Sequence, residues 1–390
     1  MEWIYPILIE EFERLRSAGV QFTKALIGTL ASNIIEESTH ECFNVNTLSK
    51  NKELIILRVK KNYFVDQFCL KNSIVIRKQT GKLQLSSEKE KYIEKTVAYH
   101  LGQVKREFDS GMDENYIENM DETHFVINVD SGTTLGFQGD KKVKYADVSS
   151  GGEGMTMVVR ISGGVNARLR RTMMIFKNQD SRYPITTLPL KNVPDDMFYR
   201  TGPRGWMDRR VFIEWIKEME DDCHGIQRII YLDNCGGHNE TAETVAILKA
   251  KNIVLRRLPE NATDLCQPAD SFVIQLIKEE WKQRWSQHKF MMIKEGAWRN
   301  GPKGSGKLCN PGKQFFMNLA DECIKAVNEK IDEGLGISFA RKSMIRCGLA
   351  KNVDGIWSEK MLFQHLQDIV NEHREYFDGK VPEVLSKRTV

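Results

Sequence analysis

The chain has 390 residues, 41% of them hydrophobic and 28% charged, and a net charge of +4. That length implies two or three domains with cores of their own. The chain has no apolar run of about 18 residues or more, which excludes a membrane-spanning helix, and its start, Met1 to Pro6, lacks the regions of a signal peptide. The eight cysteines are scattered without a Cys-x-x-Cys pair, the usage of reduced thiols in an intracellular protein.

In chain order, Ile4, Leu8, Ile9, Phe12 and Leu15 recur at helical spacing over residues 4 to 18, with Gly19 as a C-cap. Thr23 caps a second helix running to about Glu37, and a turn between the two suits a helix-turn-helix. Residues 41 to 52 read as a loop, Leu54 to Leu70 as a helix, and Asn72 to Lys78 as a short apolar run with a basic end. Residues 50 to 82 carry nine Lys or Arg (Lys50, Lys52, Arg58, Lys60, Lys61, Lys71, Arg77, Lys78, Lys82) against two acids, Glu53 and Asp66. This block points to a polyanion partner; the plainer alternative is a solvated basic face. Ser87 with Glu90 forms a capping box that opens a helix to about Phe108, and residues 109 to 116 read as a linker.

Beyond residue 116 the pattern turns strand-rich. Strands are predicted at Phe125 to Val129, Met155 to Ile161 and Arg171 to Phe176, the last two flanking a Ser162-Gly163-Gly164 hairpin turn. Asp208 caps a helix over 209 to 220. The apolar run Ile229 to Leu232 is a buried strand that delivers Asp233 to its C-terminal end, where open α/β sheets bind ligands. A helix from about Thr241 to Ala250, a strand from Asn252 to Arg257 and an amphipathic helix from Asp270 to about Gln287 follow. Two more helices are expected at 315 to 331 and 358 to 374. The sum is a mixed-sheet α/β domain behind an all-α N-terminal domain.

Asp121, Asp233 and Asp270 sit at element ends that can meet at one sheet edge. Three converging acids repel unless cations neutralise them, and hard oxygen ligands suit Mg²⁺ or Mn²⁺. Two such ions, roughly 3.5–4 Å apart, activate a nucleophile and stabilise the leaving oxygen of a phosphodiester. Plainer readings stand beside this one. Asp233 and Asn234 are also ordinary strand-end turn formers, and Asp270 an ordinary helix N-cap.

These residues carry a resemblance. Asn119-Met120-Asp121-Glu122-Thr123, Tyr231-Leu232-Asp233-Asn234 with His238, and Leu258-Pro259 through Asn261, Thr263, Gln267-Pro268 and Asp270 resemble, in order, the three acid motifs of the pogo and Tigger group of mariner-like transposases. Gly205-Trp206-Met207 and Lys278 fit the same pattern, which covers about residues 117 to 290. Residues 4 to 82 resemble that group's centromere-protein-B-like helix-turn-helix.

The resemblance implies an RNase H-like fold and a DDE-superfamily endonuclease acting on double-stranded DNA with two Mg²⁺ or Mn²⁺ ions. It makes Asp121, Asp233 and Asp270 the catalytic and metal-binding residues, Asn234 and His238 their partners, and Lys60, Lys61, Lys71, Arg77 and Lys78 DNA contacts. It also implies a homodimer on paired DNA ends and a nuclear location. The domain expectation is a helix-turn-helix over 1–82, truncated upstream, a helical linker over 83–116, the endonuclease over 117–290 and a helical extension over 291–390.

Other signals are weaker. Gly301 to Lys307 has P-loop spacing, but Leu308 replaces the metal-holding Ser or Thr, so a basic loop is the better reading. His238 is either a partner of the acids or a polar cap of the next helix. Cys235 and Cys266 lie near the acids, but a hard-cation site does not use thiols. Arg168, Arg170 and Arg171 either touch DNA or line a hairpin edge. Three functions remain: a transposase, a domesticated DNA-binding protein without cleavage, and an interaction module that has lost both.

Overall fold

The computed structural model describes residues 3–17, 24–37, 62–75, 86–126, 154–177, 190–219, 225–238, 241–294 and 310–383. The chain divides into two compact units, Met1–Ser86 and Ser87–Val390.

In the first unit three helices are described, Ile4–Ser17, Lys24–Glu37 and Asn62–Lys71. Their apolar faces come from helical spacing: Ile4, Leu8 and Phe12 meet Ile27, Ala31 and Ile35, with Phe64, Val65 and Phe68 closing the core. Tyr5 lies edge-on to Phe64 and Phe68, with centroids 5.7 and 5.5 Å away.

The second unit is built on a six-stranded sheet in the order β4-β3-β2-β1-β5-β6. The strands are β1 Ile117–Val126, β2 Gly154–Ser162, β3 Thr172–Lys177, β4 Met197–Gly202, β5 Arg228–Leu232 and β6 Ile253–Arg257. β1, β2 and β3 form an antiparallel meander, and β5 and β6 continue the sheet parallel to β1 on its other side. This is the RNase H-like arrangement, with β4 added parallel to β3 at the edge.

Strand alternation decides what each face buries. Met120, Val158, Ile230 and Leu232 face the helices Arg209–Lys217 and Ala242–Ala250 in one core with Phe212 and Trp215. Burial of each such large side chain contributes about 2–3 kcal/mol. Asp208 caps its helix as expected, accepting from the amides of Arg210 and Val211, and Thr241 caps the next, accepting from the Thr244 amide. On the other face Phe125 stacks on Trp281 at 4.3 Å and Trp281 on Phe316 at 6.0 Å, joining the sheet to the helices Ile274–Lys294 and Lys313–Glu329.

Several elements differ from the sequence reading. β1 begins eight residues before the expected Phe125, because polar residues fill it: Glu118, Asn119, Asp121, Glu122 and Thr123 hide its alternation. Residues 127 to 129 of the expected strand lie outside the described residues, as do Gly19, Thr23, residues 38 to 61, Arg77, Lys78 and the 301–307 segment. β4 was not anticipated. The helix expected over 358 to 374 breaks into Glu359–Met361, Gln364–Glu372 and Arg374–Phe377. The helix Ser87–Asp109, read as a linker, packs within the second unit: Arg106 Nη1 donates to the Phe377 carbonyl at 2.7 Å, and an added Cβ on Gly102 would overlap that same oxygen.

Candidate functional site

Asp121 lies inside β1, Asp233 just past the end of β5 and Asp270 in a turn after β6. One buried side chain ties their carriers together. Asn119 donates from Nδ2 to the Tyr231 carbonyl at 3.0 Å and accepts at Oδ1 from the Ala269 amide, also at 3.0 Å. Asn119 is fully buried, and both partners fix its amide orientation. Each of the three positions it links is within two residues of one of the acids.

The turn carrying Asp270 is unusual. Residues Ala269–Val273 form a single π turn, closed by the Ile274 amide on the Ala269 carbonyl, before the α-helix begins. Such turns gather at functional positions. The N-cap position is taken by Pro268 and has no side-chain cap, so Asp270 does not serve as an N-cap. Its carboxyl lies close enough to that of Asp121 for each to affect the other's ionisation instead.

The electrostatics divide the site in two. Burial, then the charge of Asp270, and further the charges of Glu122 and Asp233, push the Asp121 carboxyl well above its ordinary 3.8. Asp270 is raised as well, first by burial, although the Lys278 charge and the hydrogen bond from Asp121 oppose the rise. Both carboxyls are therefore pushed toward the neutral form, each by its burial and by the charges of neighbouring acids.

Asp233 behaves in the opposite sense. Burial works to raise it, but the contact with His238, the Cys235 amide 3.2 Å from Oδ1, and the charges of His238 and Arg257 together hold it below 3.8. His238 is buried between two carboxylates. Its Nε2 lies 2.6 Å from Glu122 Oε1, and its Nδ1 lies 3.0 Å from Asp233 Oδ1, an ion-pair contact off the hydrogen-bond direction. Burial would lower the imidazole, but Asp233 and Glu122 outweigh it and raise it to about 10, so it is an imidazolium at neutral pH. Its ring packs 5.0 Å from Phe212. His238 is therefore a partner of the acids, and the cap of the next helix is Thr241.

The loop after β5 is latched to β6. Asn234 Nδ2 donates to the Leu258 carbonyl at 2.7 Å, Arg257 Nη1 to the Asp233 carbonyl at 2.8 Å and Arg257 Nη2 to the His238 carbonyl. Asn234 and Asp233 thus both take part in the turn that follows β5.

Sequence reasoning missed Asn119, Glu122 and Arg257 as parts of this site. The signal for Glu122 was its adjacency to Asp121: on a strand the two point to opposite faces, and the opposite face is where His238 sits.

Of the five basic residues singled out, Lys71 alone is among the described residues. It is exposed on the helix Asn62–Lys71, with Nζ 5.3 Å from the Tyr5 ring centroid. Lys60, Lys61, Arg77 and Lys78 lie outside them. Burial pushes the Cys266 thiol up to about 12, which leaves it protonated and no ligand, and Cys235 is exposed. Arg171 pairs with Glu218 at 3.0 Å and lies over the Phe198 ring.

Residues 168–333 match the family model of the DDE superfamily endonuclease. Asp233 and Asp270 fall inside the match and Asp121 ahead of it. Among solved structures, the chain is similar to the Mos1 strand transfer complex at 10% identity, over 95% of this chain and 86% of that one, with a TM-score of 0.42. It is similar to the Mos1 mariner paired end complex with Mn at 11% identity, over 98% and 96%, with a TM-score of 0.41. To the catalytic domain of Mos1 mariner transposase the figures are 7%, 64% and 98%, and 0.30. The sequence has no match among curated proteins.

Proposed function

We propose that this chain, whose residues 168–333 match the DDE superfamily endonuclease model, is a transposase-like enzyme that cleaves and joins DNA at Asp121, Asp233 and Asp270. The observation that supports this reading is that Asn119 ties the carriers of the three acids together, where burial and neighbouring carboxylates, Asp233 among them, raise both Asp121 and Asp270. Buried carboxylates that repel one another fit the demand of hard divalent cations, and the donor set is all oxygen.

Asp121, Asp233 and Asp270 would hold Mg²⁺ or Mn²⁺, in a pair. When bound, these ions supply the charge that activates water or a DNA 3′-hydroxyl and stabilises the departing oxygen. The chain's own residues prepare the site. Asn119 sets the spacing of the three carriers. His238, held by Glu122, fixes the rotamer of Asp233 and keeps it ionised. Lys278 favours the charged form of Asp270.

The basic block around Lys60, Lys61, Lys71, Arg77 and Lys78 would bind double-stranded DNA through phosphates, in a nuclear setting, with two copies of the chain on paired ends. Affinity should fall steeply with salt as counterions are released; affinity unchanged from low to physiological salt would overturn this part.

The test of the chemistry is nicking of supercoiled DNA with Mg²⁺ or Mn²⁺, comparing wild type with Asp233→Asn. The variant keeps the side chain's shape and removes its charge, so nicking should collapse while DNA binding survives. Equal nicking by both proteins would sink the assignment, and DNA binding without nicking by wild type would favour a domesticated DNA-binding protein.

A further inference from the structure

We propose a second metal site in the same unit, for a borderline divalent ion such as Zn²⁺, formed by Glu94, Glu372 and His373. It shares no residue with the aspartate site. Glu94 comes from the middle of the helix Ser87–Asp109, Glu372 is the last residue of the helix Gln364–Glu372, and His373 occupies the break before Arg374–Phe377. One ligand atom from each lies within 4.8 Å of the other two.

Three observations favour an ion over a simple surface cluster. First, the imidazole is 7% exposed and already oriented, with Nε2 3.3 Å from Glu94 Oε2. Second, its backbone is locked outside helical geometry at φ −115°, with the His373 amide on the Ile369 carbonyl at 2.9 Å and the Tyr376 amide on the His373 carbonyl at 3.0 Å. Third, among the described residues neither Glu94 nor Glu372 has a Lys or Arg at ion-pair distance. Even a charged imidazole would balance only one of the two carboxylates.

The ligand chemistry selects the ion. One imidazole nitrogen and two carboxylate oxygens make a three-ligand set with a place for water, which suits zinc and neighbouring first-row metals. Mg²⁺ and Ca²⁺ favour all-oxygen shells. An ion there would clamp the first helix of the unit to its last helices, beside the existing Arg106–Phe377 hydrogen bond.

The experiment uses the full-length chain carrying Asp233→Asn, which weakens the aspartate site's own claim on the metal. Zn²⁺ is titrated by calorimetry, and melting is followed with and without it. The expected result is one tight equivalent and a rise of a few degrees in Tm. Adding Glu372→Gln should weaken that binding by at least about tenfold and remove the rise. Glu372 is exposed and outside the His373–Glu94 pair, so a bare ion pair would not register its loss. Unchanged zinc affinity in Glu372→Gln, or absence of a tight equivalent in the parent, overturns the proposal. In an otherwise wild-type chain, Glu372→Gln should leave Mg²⁺-dependent nicking intact.

Discussion

Strand β1 carries two acids only three residues apart that are treated in opposite ways. Glu118 lies near its start, buried, 3.7 Å from Arg160 on β2 and 3.7 Å from Arg228 on β5. The fold itself supplies its countercharge from the neighbouring strands. Asp121 lies on the other face, where its near neighbours Asp270, Glu122 and Asp233 all add to its burial in raising it. The fold supplies that aspartate with further acids. Burial alone therefore does not mark a functional carboxylate; the mark is burial among like charges without a resident arginine.

Four measurements would break or sharpen this contrast. The largest effect belongs to Asp121→Asn. Nicking should fall by at least ~100-fold, as expected when a metal-held charge worth several kcal/mol is lost. The metal-free protein should melt no lower than wild type, because a repelling charge has gone. If the variant lost its fold along with its activity, Asp121 would be structural like Glu118.

Next comes Glu118→Gln, which leaves two buried arginines short of a countercharge and should cost about 3 kcal/mol in urea unfolding. Nicking per folded molecule should stay near wild type. A change of only a few tenths would mean that the arginines' other contacts carry them.

His238→Gln should lower nicking by about 10- to 100-fold, since Asp233 and Glu122 lose the cation that orients them. Activity that survived at wild-type level would reduce His238 to a packing residue against Phe212.

The smallest effect is in thermal stability. Asp121 and Asp270 are raised in the folded state, so their contribution is full below the unfolded value of 3.8 and is lost as pH rises through the raised values. His238 adds the same sense of dependence higher up, its contribution being lost through about 10. Asp233 runs the other way, present above 3.8 and lost as pH falls through its lowered value. In chelator Tm should therefore fall as pH rises from the acidic side, and Mg²⁺ should offset the part of the fall that belongs to the two aspartates. A flat profile in chelator would remove the repulsion argument.

The sequence made some of this legible and hid the rest for physical reasons. β5 was readable because four apolar residues in a row, Ile229 to Leu232, leave little but a buried strand, and Asp233 then follows at its end. β1 was not readable as a strand, because it is the strand that holds the charges. Its interior residues are paired with groups distant in sequence: Glu118 by charge with Arg160 and Arg228, Asn119 by hydrogen bonds with Tyr231 and Ala269, Glu122 with His238. No local pattern reports such pairings. β4 ends in Arg200-Thr201-Gly202-Pro203, whose turn character masked a short edge strand. The three aspartates were singled out from the order of their motifs; the raised ionisation of two of them, which depends on burial and on charges brought from elsewhere in the chain, was not legible.

The π turn at Ala269–Val273 also sets a phase. It holds one more residue than an α-helical turn, so Asp270 is offset by ~100° from the face that Lys278, Trp281 and Trp285 would assign to it in an unbroken helix. Deleting Ser271 would heal the turn into regular helix, leave Trp281 against Phe125, and swing the carboxylate away from Asp121. A relative with a continuous helix here would align to this chain only with a one-residue gap, and a chimera joined without that gap would fold with its third acid facing the wrong way.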